Sequence, residues 1–221
     1  MDNIYGDGIG KVEYVEHMGN DLTIVNAARV SLGKHKEDLD DDDIKLIKYL
    51  LKNKHTSTFE HCLITFRFKV PLFVRSQHHR HRTWSYNEIS RRYTSENIEF
   101  YVPQEFKAQH KINRQASDVA PVENQGINKY LFEAAYRNSF VAFKQLLSNG
   151  VSREQARMIL PQNLYTEYYG TVNLNNLFKF LKLRDHEHAQ YEIQLVAKAC
   201  LSIAEELYPI ATKAWQEISQ R

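Results

Sequence analysis

The clearest hydrophobic pattern in the chain is an alternation of apolar and polar residues over positions 63–70. One face of this stretch carries the apolar side chains Ile64, Phe66, Phe68 and Val70. A period of two over eight residues predicts a half-buried β-strand. Pro71 ends the strand and predicts a short helix over residues 72–74, because proline suits the first turn of a helix.

A helical period recurs in the first fifty residues. Asp21 is a suitable N-cap for a helix that runs to Arg29. Farther along, the acidic run 40–43 precedes apolar residues with lysines between them. Acids at the start of a helix and lysines later suit its dipole. We interpret the acidic run as the solvated start of a second helix.

The pattern of the second half predicts several more helices. An aromatic stripe indicates a helix from Tyr130 to Leu147. Ser152 and Gln155 have the spacing of a capping box for a short helix that ends at Pro161. The remaining helices are predicted over 174–184 with Asn173 as cap, over 193–207, and from Pro209 to Ile218.

Strands are predicted at 11–18 and 163–172, and residues 93–128 are predicted to be a turn-rich connection. Strands and helices are interspersed, and the glycine-rich strand-to-helix turn of dinucleotide-binding folds is absent from the sequence. We therefore expect one α+β domain over residues 1–221, with an antiparallel sheet packed with helices.

Composition narrows the function classes. Of the 221 residues, 43% are hydrophobic and 25% charged, and the formal net charge is +2. This balance is that of an ordinary globular protein and disfavours a wholly basic nucleic-acid coat. The two cysteines, Cys62 and Cys200, have no CxxC partner and fit a reducing, cytoplasmic compartment. Neither a signal peptide nor a membrane-spanning run is evident, so we expect no membrane partner.

The most unusual stretch is 80–92, which holds four arginines, a histidine, one carboxylate and hydroxyl side chains within 13 residues. Guanidinium groups match phosphate or carboxylate with paired hydrogen bonds, so the stretch predicts a site for a phosphorylated ligand. A solvated basic surface patch and a non-catalytic nucleotide- or RNA-binding site are the alternatives. A metal site is disfavoured, because the nearby histidines alternate with arginines and no HExxH spacing is present.

Two later positions add candidate polar groups. Arg157 has apolar neighbours, so it either extends to the surface or points into a site. The stretch 183–190 lies between two predicted helices, where polar side chains can converge on a ligand or simply cap the helices. Neither cysteine has a setting that predicts an activated thiolate.

Arg80-His81-Arg82, followed by Ser85-Tyr86-Asn87-Glu88 and Ser90, resembles the RHR…S signature of the flavin-dependent thymidylate synthases. The resemblance extends from about residue 10 to 210. Other stretches that agree in order are 20–22, 27–31, 55–61, 156–165, 171–173 and 180–190.

The resemblance implies a homotetramer with active sites shared between subunits. It implies bound FAD that is reduced by NADPH, methylenetetrahydrofolate as carbon donor and dUMP as acceptor. Reduced flavin then supplies the hydride, and no enzyme cysteine attacks the pyrimidine.

The resemblance also assigns residues by position. Those similar to dUMP contacts are Gln77, Arg80, Glu88, Ser90, Arg91, Arg92, Arg157 and Arg184. Those similar to flavin contacts are Ser57, Arg80, His81, Arg82, Glu88, Asn173, Asn175, Lys179 and His188. His55 resembles a histidine near the flavin and the folate. Arg184 matches the catalytic arginine that favours the ionised N3 of uracil, since a fixed cation stabilises negative charge developing on the ring.

Two positions, Asn175 and Lys179, depart from the family pattern. Asn175 stands where many relatives have arginine, and Lys179 where they often have asparagine or histidine. Lys179 is expected to restore a positive charge near the flavin pyrophosphate. Arg91 occupies a variable position of the motif.

Overall fold

The computed structural model describes residues 1–113 and 116–219. Its strands are β1 Lys11–Met18, β2 Leu63–Pro71, β3 Ser85–Glu88, β4 Lys107–Gln109, β5 Ser117–Pro121 and β6 Tyr165–Asn173. Its α-helices are α1 Asp21–Arg29, α2 Asp41–Lys52, α3 Leu72–His78, α4 Gln125–Ser148, α5 Arg153–Ala156, α6 Leu174–Arg184, α7 Tyr191–Leu207 and α8 Pro209–Ser219. Short 3-10 helices cover Val30–Leu32, Thr56–His61 and Arg157–Ile159.

The main sheet is antiparallel and has the strand order β1-β2-β6-β3. The strand predicted at 63–70 is confirmed as β2, and its four alternate apolar side chains are fully buried. Phe66 of β2 and Tyr86 of β3 both pair with Gly170 of β6. A Cβ atom at Gly170 would lie 2.9 Å from Phe68 and 3.3 Å from Trp84. The missing side chain therefore lets Trp84 pack closely over the middle of the sheet.

Helices α6 and α7 cover the buried face of the sheet, and one hydrophobic core joins them to it. The stripe predicted over 193–207 is confirmed, with Cys200 fully buried among its apolar neighbours. Asn173 caps α6 as predicted, because its Oδ1 accepts the N–H of Asn176 at 2.9 Å. The predicted α+β architecture with an antiparallel sheet packed with helices is confirmed. None of the described helices is long and apolar enough to cross a membrane.

The prediction that Asp21 caps α1 is wrong. Asn20 is the cap, and its Oδ1 accepts the N–H of Thr23. Asp21 is buried and accepts the N–H groups of Ile210 and Ala211 at 3.0 and 2.9 Å. Its carboxylate thus joins α1 to the start of α8, a contact over almost the whole chain length.

The acidic run before α2 is only partly solvated, so that interpretation needs correction. Asp40 caps the helix as a solvated start requires, but the Asp43 side chain is 0% exposed. Arg29 and Lys36 both donate to its carboxylate. Burial raises the pKa of Asp43, but the hydrogen bonds from Lys36 and Arg29 outweigh burial and bring the pKa down to about 2.

The turn-rich connection predicted for 93–128 is wrong in part. It contains the short hairpin β4–β5, and α4 begins at Gln125. The strands of this hairpin have three and five residues, too short to show a period in the sequence. The capping box predicted from Ser152 and Gln155 is also wrong, because the Ser152 side chain makes no capping hydrogen bond.

Candidate active site

The arginine-rich stretch begins in a turn that follows α3. Within it, the side chains of Arg80 and Arg82 are exposed, and they make no hydrogen bond or ion pair with residues in the described parts of the chain. Trp84 is 5% exposed and fixes the end of the turn in the core. The stretch therefore combines free guanidinium groups with a buried anchor, which a merely solvated surface patch does not need.

Arg184 comes to this turn from the last residue of α6. Its Nε donates to Nε2 of His81 at 3.1 Å, and its Nη2 lies 3.5 Å from the carbonyl of Gln77. Burial and the Arg184 charge lower the pKa of His81 to about 4. His81 is therefore neutral near pH 7 with its proton on Nδ1, and its Nε2 can accept from the guanidinium.

The junction between α6 and α7 adds a second contact. Gln190, the residue before α7, accepts a hydrogen bond from the Gln77 side chain at 2.5 Å. His188 in the same junction is exposed. The structure therefore brings together Gln77, His81 and Arg184, with Gln190 as an additional partner within the stretch that the sequence had indicated.

A separate cavity of about 510 Å³ lies at the end of β3, where Glu88 and the residues after it form part of its wall. Its lining includes four of the predicted site residues: Glu88, Ser90, Arg91 and Arg157. Glu88 is held by Arg75 at 3.1 Å and by the Thr166 hydroxyl at 2.7 Å.

The arginines around this cavity differ in how they are held. Arg91 donates to the carbonyls of Glu96 and Asn97, which holds its guanidinium in the wall. Arg92 lies 3.6 Å from Glu154 of α5, and both side chains are about half exposed. Arg157 is exposed and has no polar partner in the described chain. This cavity thus presents a hydroxyl and a free guanidinium, which can bind a phosphate.

The third group of predicted residues lies at the other end of β6. Asn173 is the last residue of this strand, and Tyr165 at its other end lines the cavity. At about 3.3 Å per residue, the two residues lie roughly 26 Å apart along the strand. His55 and Ser57 are exposed nearby; His55 immediately precedes the 3-10 helix Thr56–His61, and Ser57 lies within it. Within a single chain this group is too distant to contact a ligand that occupies the cavity.

Asn175 and Lys179, which depart from the family pattern, also lie in this third region. Asn175 is 6% exposed and its amide donates to Glu60 at 2.9 Å. Lys179 is exposed and donates to Asn176 at 3.2 Å. Lys179 can reach an anionic ligand, whereas Asn175 is already engaged.

Sequence reasoning missed Arg75 and Thr166, which hold Glu88, and the role of Tyr86, whose hydroxyl contacts the turn. No local signal marks Arg75 or Thr166, because each meets Glu88 only through strand pairing and the packing of α3. Tyr86 lies inside the motif, so the sequence marked its position. The sequence did not reveal that the Tyr86 hydroxyl contacts the carbonyls of His78 and His81.

Both cysteines belong to the hydrophobic core. Cys62 and Cys200 are free and fully buried. Burial, assisted by Asp21, raises the pKa of the Cys62 thiol to about 12, and burial raises that of Cys200 as well. Neither is prepared to act as a thiolate nucleophile. Among the described residues, no group of three or more His, Cys, Asp or Glu side chains could hold a metal ion.

Comparisons with known proteins agree over nearly the whole chain. The family model described as thymidylate synthase complementing protein matches residues 13–210. The flavin-dependent thymidylate synthase of Thermus thermophilus is 45% identical over 208 residues, which cover 94% of this chain and 76% of that protein. The enzyme of the same name from Kosmotoga olearia is 42% identical over 209 residues, covering 93% and 90%.

A solved structure shows the same fold. The UMP/dUMP methylase PolB from Streptomyces cacaoi, bound with 5-Br dUMP, matches with a TM-score of 0.86 and 33% sequence identity. The match covers 94% of this chain and 95% of that chain.

Proposed function

Because this chain belongs to the flavin-dependent thymidylate synthase family, we propose that it converts dUMP to dTMP by reductive methylation. The observation that carries the proposal is the set of exposed guanidinium groups without internal partners at Arg80, Arg82 and Arg157. Exposed guanidinium groups without protein partners are free to pair with an anion, and dUMP carries a phosphate.

We propose that dUMP is bound by residues from two of the clusters. Ser90, Arg91, Arg92 and Arg157 would take the phosphate, and Glu88 would orient the sugar or the ring from its fixed place between Arg75 and Thr166. Gln77, Arg80 and Arg184 would contact the nucleotide from α3, the turn after it and the end of α6. The neutral His81 leaves the full positive charge on Arg184, and this charge would stabilise the negative charge that develops at N3 and O2 of the uracil.

The reaction that we propose is balanced by two co-substrates. Methylenetetrahydrofolate gives its one-carbon unit to C5 of the uracil, the C5 proton is lost to solvent, and a hydride completes the methyl group. NADPH provides the reducing equivalents. The flavin, which we propose is FAD, supplies that hydride when it is bound and reduced.

The chain offers groups that fit a dinucleotide cofactor. The exposed cations Arg82 and Lys179 suit a pyrophosphate, and His81, Asn173 and His188 add ring and amide groups. Ser57 and Arg80 complete the proposed flavin contacts, with His55 on the folate side. Asn175 fits less well, since its amide is buried against Glu60.

We propose a homotetramer in which neighbouring chains complete each site. The separation of the third group from the cavity supports this arrangement, because one chain does not bring all the proposed contacts to one ligand. We also propose that residues 1–221 act as one catalytic domain. A cytoplasmic location fits nucleotide synthesis and the two free thiols.

An absorbance spectrum and a turnover assay test the proposal together. We expect the purified protein to be yellow, to oxidise NADPH faster when dUMP is added, and to release tritium from dUMP labelled at C5. A colourless protein that releases no tritium from dUMP would refute the proposal. If that protein instead bound polynucleotides with a steep salt dependence, the non-catalytic RNA-binding alternative would replace it.

A further inference from the structure

The Tyr86 hydroxyl contacts the backbone of the turn that carries Arg80 and Arg82. Tyr86 lies in the middle of β3, and its hydroxyl is 3.0 Å from the carbonyl oxygen of His78 and 3.2 Å from that of His81. It therefore donates a hydrogen bond shared between two carbonyls three residues apart.

Those two carbonyls belong to consecutive tight turns. The His78 carbonyl accepts the N–H of His81 at 2.9 Å, and the His81 carbonyl accepts the N–H of Trp84 at 3.4 Å. A carbonyl oxygen has two lone pairs, so each can also accept from Tyr86. The hydroxyl thus joins both turns to the sheet at one point.

The arginines of this turn depend on its backbone for their position. The Arg80 and Arg82 side chains have no polar partner in the described chain, whereas His81 between them is held by Arg184. A side chain without contacts is placed only by its Cα and Cβ atoms. A shift of the turn would move both guanidinium groups together.

The Tyr86 ring has a packing role that is separate from its hydroxyl. It stacks on His79 with ring centroids 4.0 Å apart, and it lies parallel to Trp84 at 6.1 Å. A phenylalanine keeps these contacts and removes only the hydrogen bonds. Burial raises the pKa of the Tyr86 hydroxyl, so it remains a donor throughout the neutral range.

We propose that Tyr86 is a positioning residue whose hydroxyl fixes the turn 78–84 and thereby presents Arg80 and Arg82 to bound ligand phosphates and to the nucleotide. The ligand part of this inference rests on the function proposed above. The positional part concerns the protein alone.

Tyr208 provides a matched control. It is fully buried, and its hydroxyl also lies between two backbone carbonyls, those of Met18 at 2.9 Å and Leu63 at 3.1 Å. These carbonyls belong to the ends of β1 and β2, away from the turn. Tyr86→Phe and Tyr208→Phe therefore remove the same kind of hydrogen bond, and we expect similar decreases in Tm, about 2–4 °C.

The experiment compares the two variants with the full-length wild type by titration calorimetry with dUMP and by steady-state kinetics. We expect Tyr86→Phe to weaken dUMP binding about fivefold or more and to raise the KM for dUMP, while kcat at saturating dUMP falls less. We expect Tyr208→Phe to stay within twofold of the wild type. Unchanged dUMP affinity in Tyr86→Phe, or an equal loss in both variants, would overturn the inference.

Amide hydrogen exchange of the ligand-free proteins separates this inference from the proposed function. We expect faster exchange in peptides covering residues 79–85 for Tyr86→Phe only, because the amides of His81 and Trp84 report the two turns. Wild-type exchange rates in Tyr86→Phe would refute the positioning role, whatever the ligand. If the wild type itself failed to bind dUMP, the proposed function would fail, and the exchange comparison would still decide the role of Tyr86.

Discussion

Arg184 at the end of α6 donates its Nε–H to Nε2 of His81, 103 residues earlier in the chain, at a distance of 3.1 Å. The contact requires a neutral imidazole with a free Nε2 lone pair. It therefore defines the tautomer of His81 and one edge of the guanidinium. Because Nη2 lies near the Gln77 carbonyl, Nη1 of Arg184 is the nitrogen left available to a ligand.

Arg184→Ala should abolish most thymidylate formation and leave the fold intact. The variant removes the cation proposed to stabilise charge on the uracil, so kcat/KM should fall at least about 100-fold. The matched control is Lys182→Ala, which removes an exposed cation from the same last turn of α6. Turnover close to normal in Arg184→Ala, with the circular dichroism spectrum unchanged, would disprove the role.

The stability of the protein should depend on pH through His81. Burial and Arg184 lower its pKa to about 4 in the folded state, against 6.5 as the ordinary value. Between these values the unfolded chain binds more protons, so the free energy of unfolding decreases as pH falls from about 6.5 to 4. Buried His78, whose pKa is lowered chiefly by burial and also by neighbouring His81, His79 and Arg184, acts in the same direction.

Urea unfolding from pH 4 to 7.5 measures this dependence. In His81→Asn, the free energy of unfolding should change less with pH than in the wild type. Part of the pH dependence should remain, because His78 is unchanged. His110→Asn is the control, since His110 lies in the loop after β4 and its Nδ1 accepts the N–H groups of Ile112 and Asn113. Identical slopes for His81→Asn and the wild type would show that folding does not lower the pKa of His81.

Arg157→Ala should mainly weaken dUMP binding. Arg157 has no polar partner in the described chain, so its removal should leave stability nearly unchanged. A charge-assisted hydrogen bond to a phosphate contributes about 1.5–3 kcal/mol, which predicts roughly a tenfold or greater increase in Kd. Arg153→Ala, from the preceding helix α5, is the control in the same calorimetric titration. Equal dUMP affinity in both variants would remove Arg157 from the site.

Asp43→Ala should destabilise the protein by about 3 kcal/mol, because it leaves Arg29 and Lys36 without their shared buried carboxylate and removes part of the α2 cap. Asp42→Ala should cost less than about 1 kcal/mol, since Asp42 is exposed and pairs only with Lys45. Equal unfolding free energies for the two variants in urea would contradict the buried role of Asp43.

Local patterns predicted the elements well where one face of an element meets the core. The alternation in β2, the stripe of α7 and the Asn173 cap each depend on side chains within one helix or one strand, and all three are confirmed. β3 was not predicted, since its four residues are mostly exposed and it lies at the edge of the sheet. Its strand character comes from pairing with β6, which is distant in sequence.

Charged and polar residues were harder to interpret than apolar ones. Asp21 and Asp43 are ordinary helix-start residues by sequence, yet tertiary partners bury both of them. Likewise the motif indicated Glu88, but Arg75 and Thr166 reach it only in the folded chain. A carboxylate can be solvated or buried according to partners that no local pattern reveals.

The sequence by itself determined the α+β class, most helices and the chemical character of the Arg80–Arg92 stretch, because these depend on short-range periodicity and on residue type. Only the tertiary structure decided which polar groups meet: Arg184 with His81, Gln190 with Gln77, and Tyr86 with the turn. It also separated the proposed contacts into three regions of the chain. Such pairings follow from how strands register and helices pack, and the first two join residues 103 and 113 positions apart.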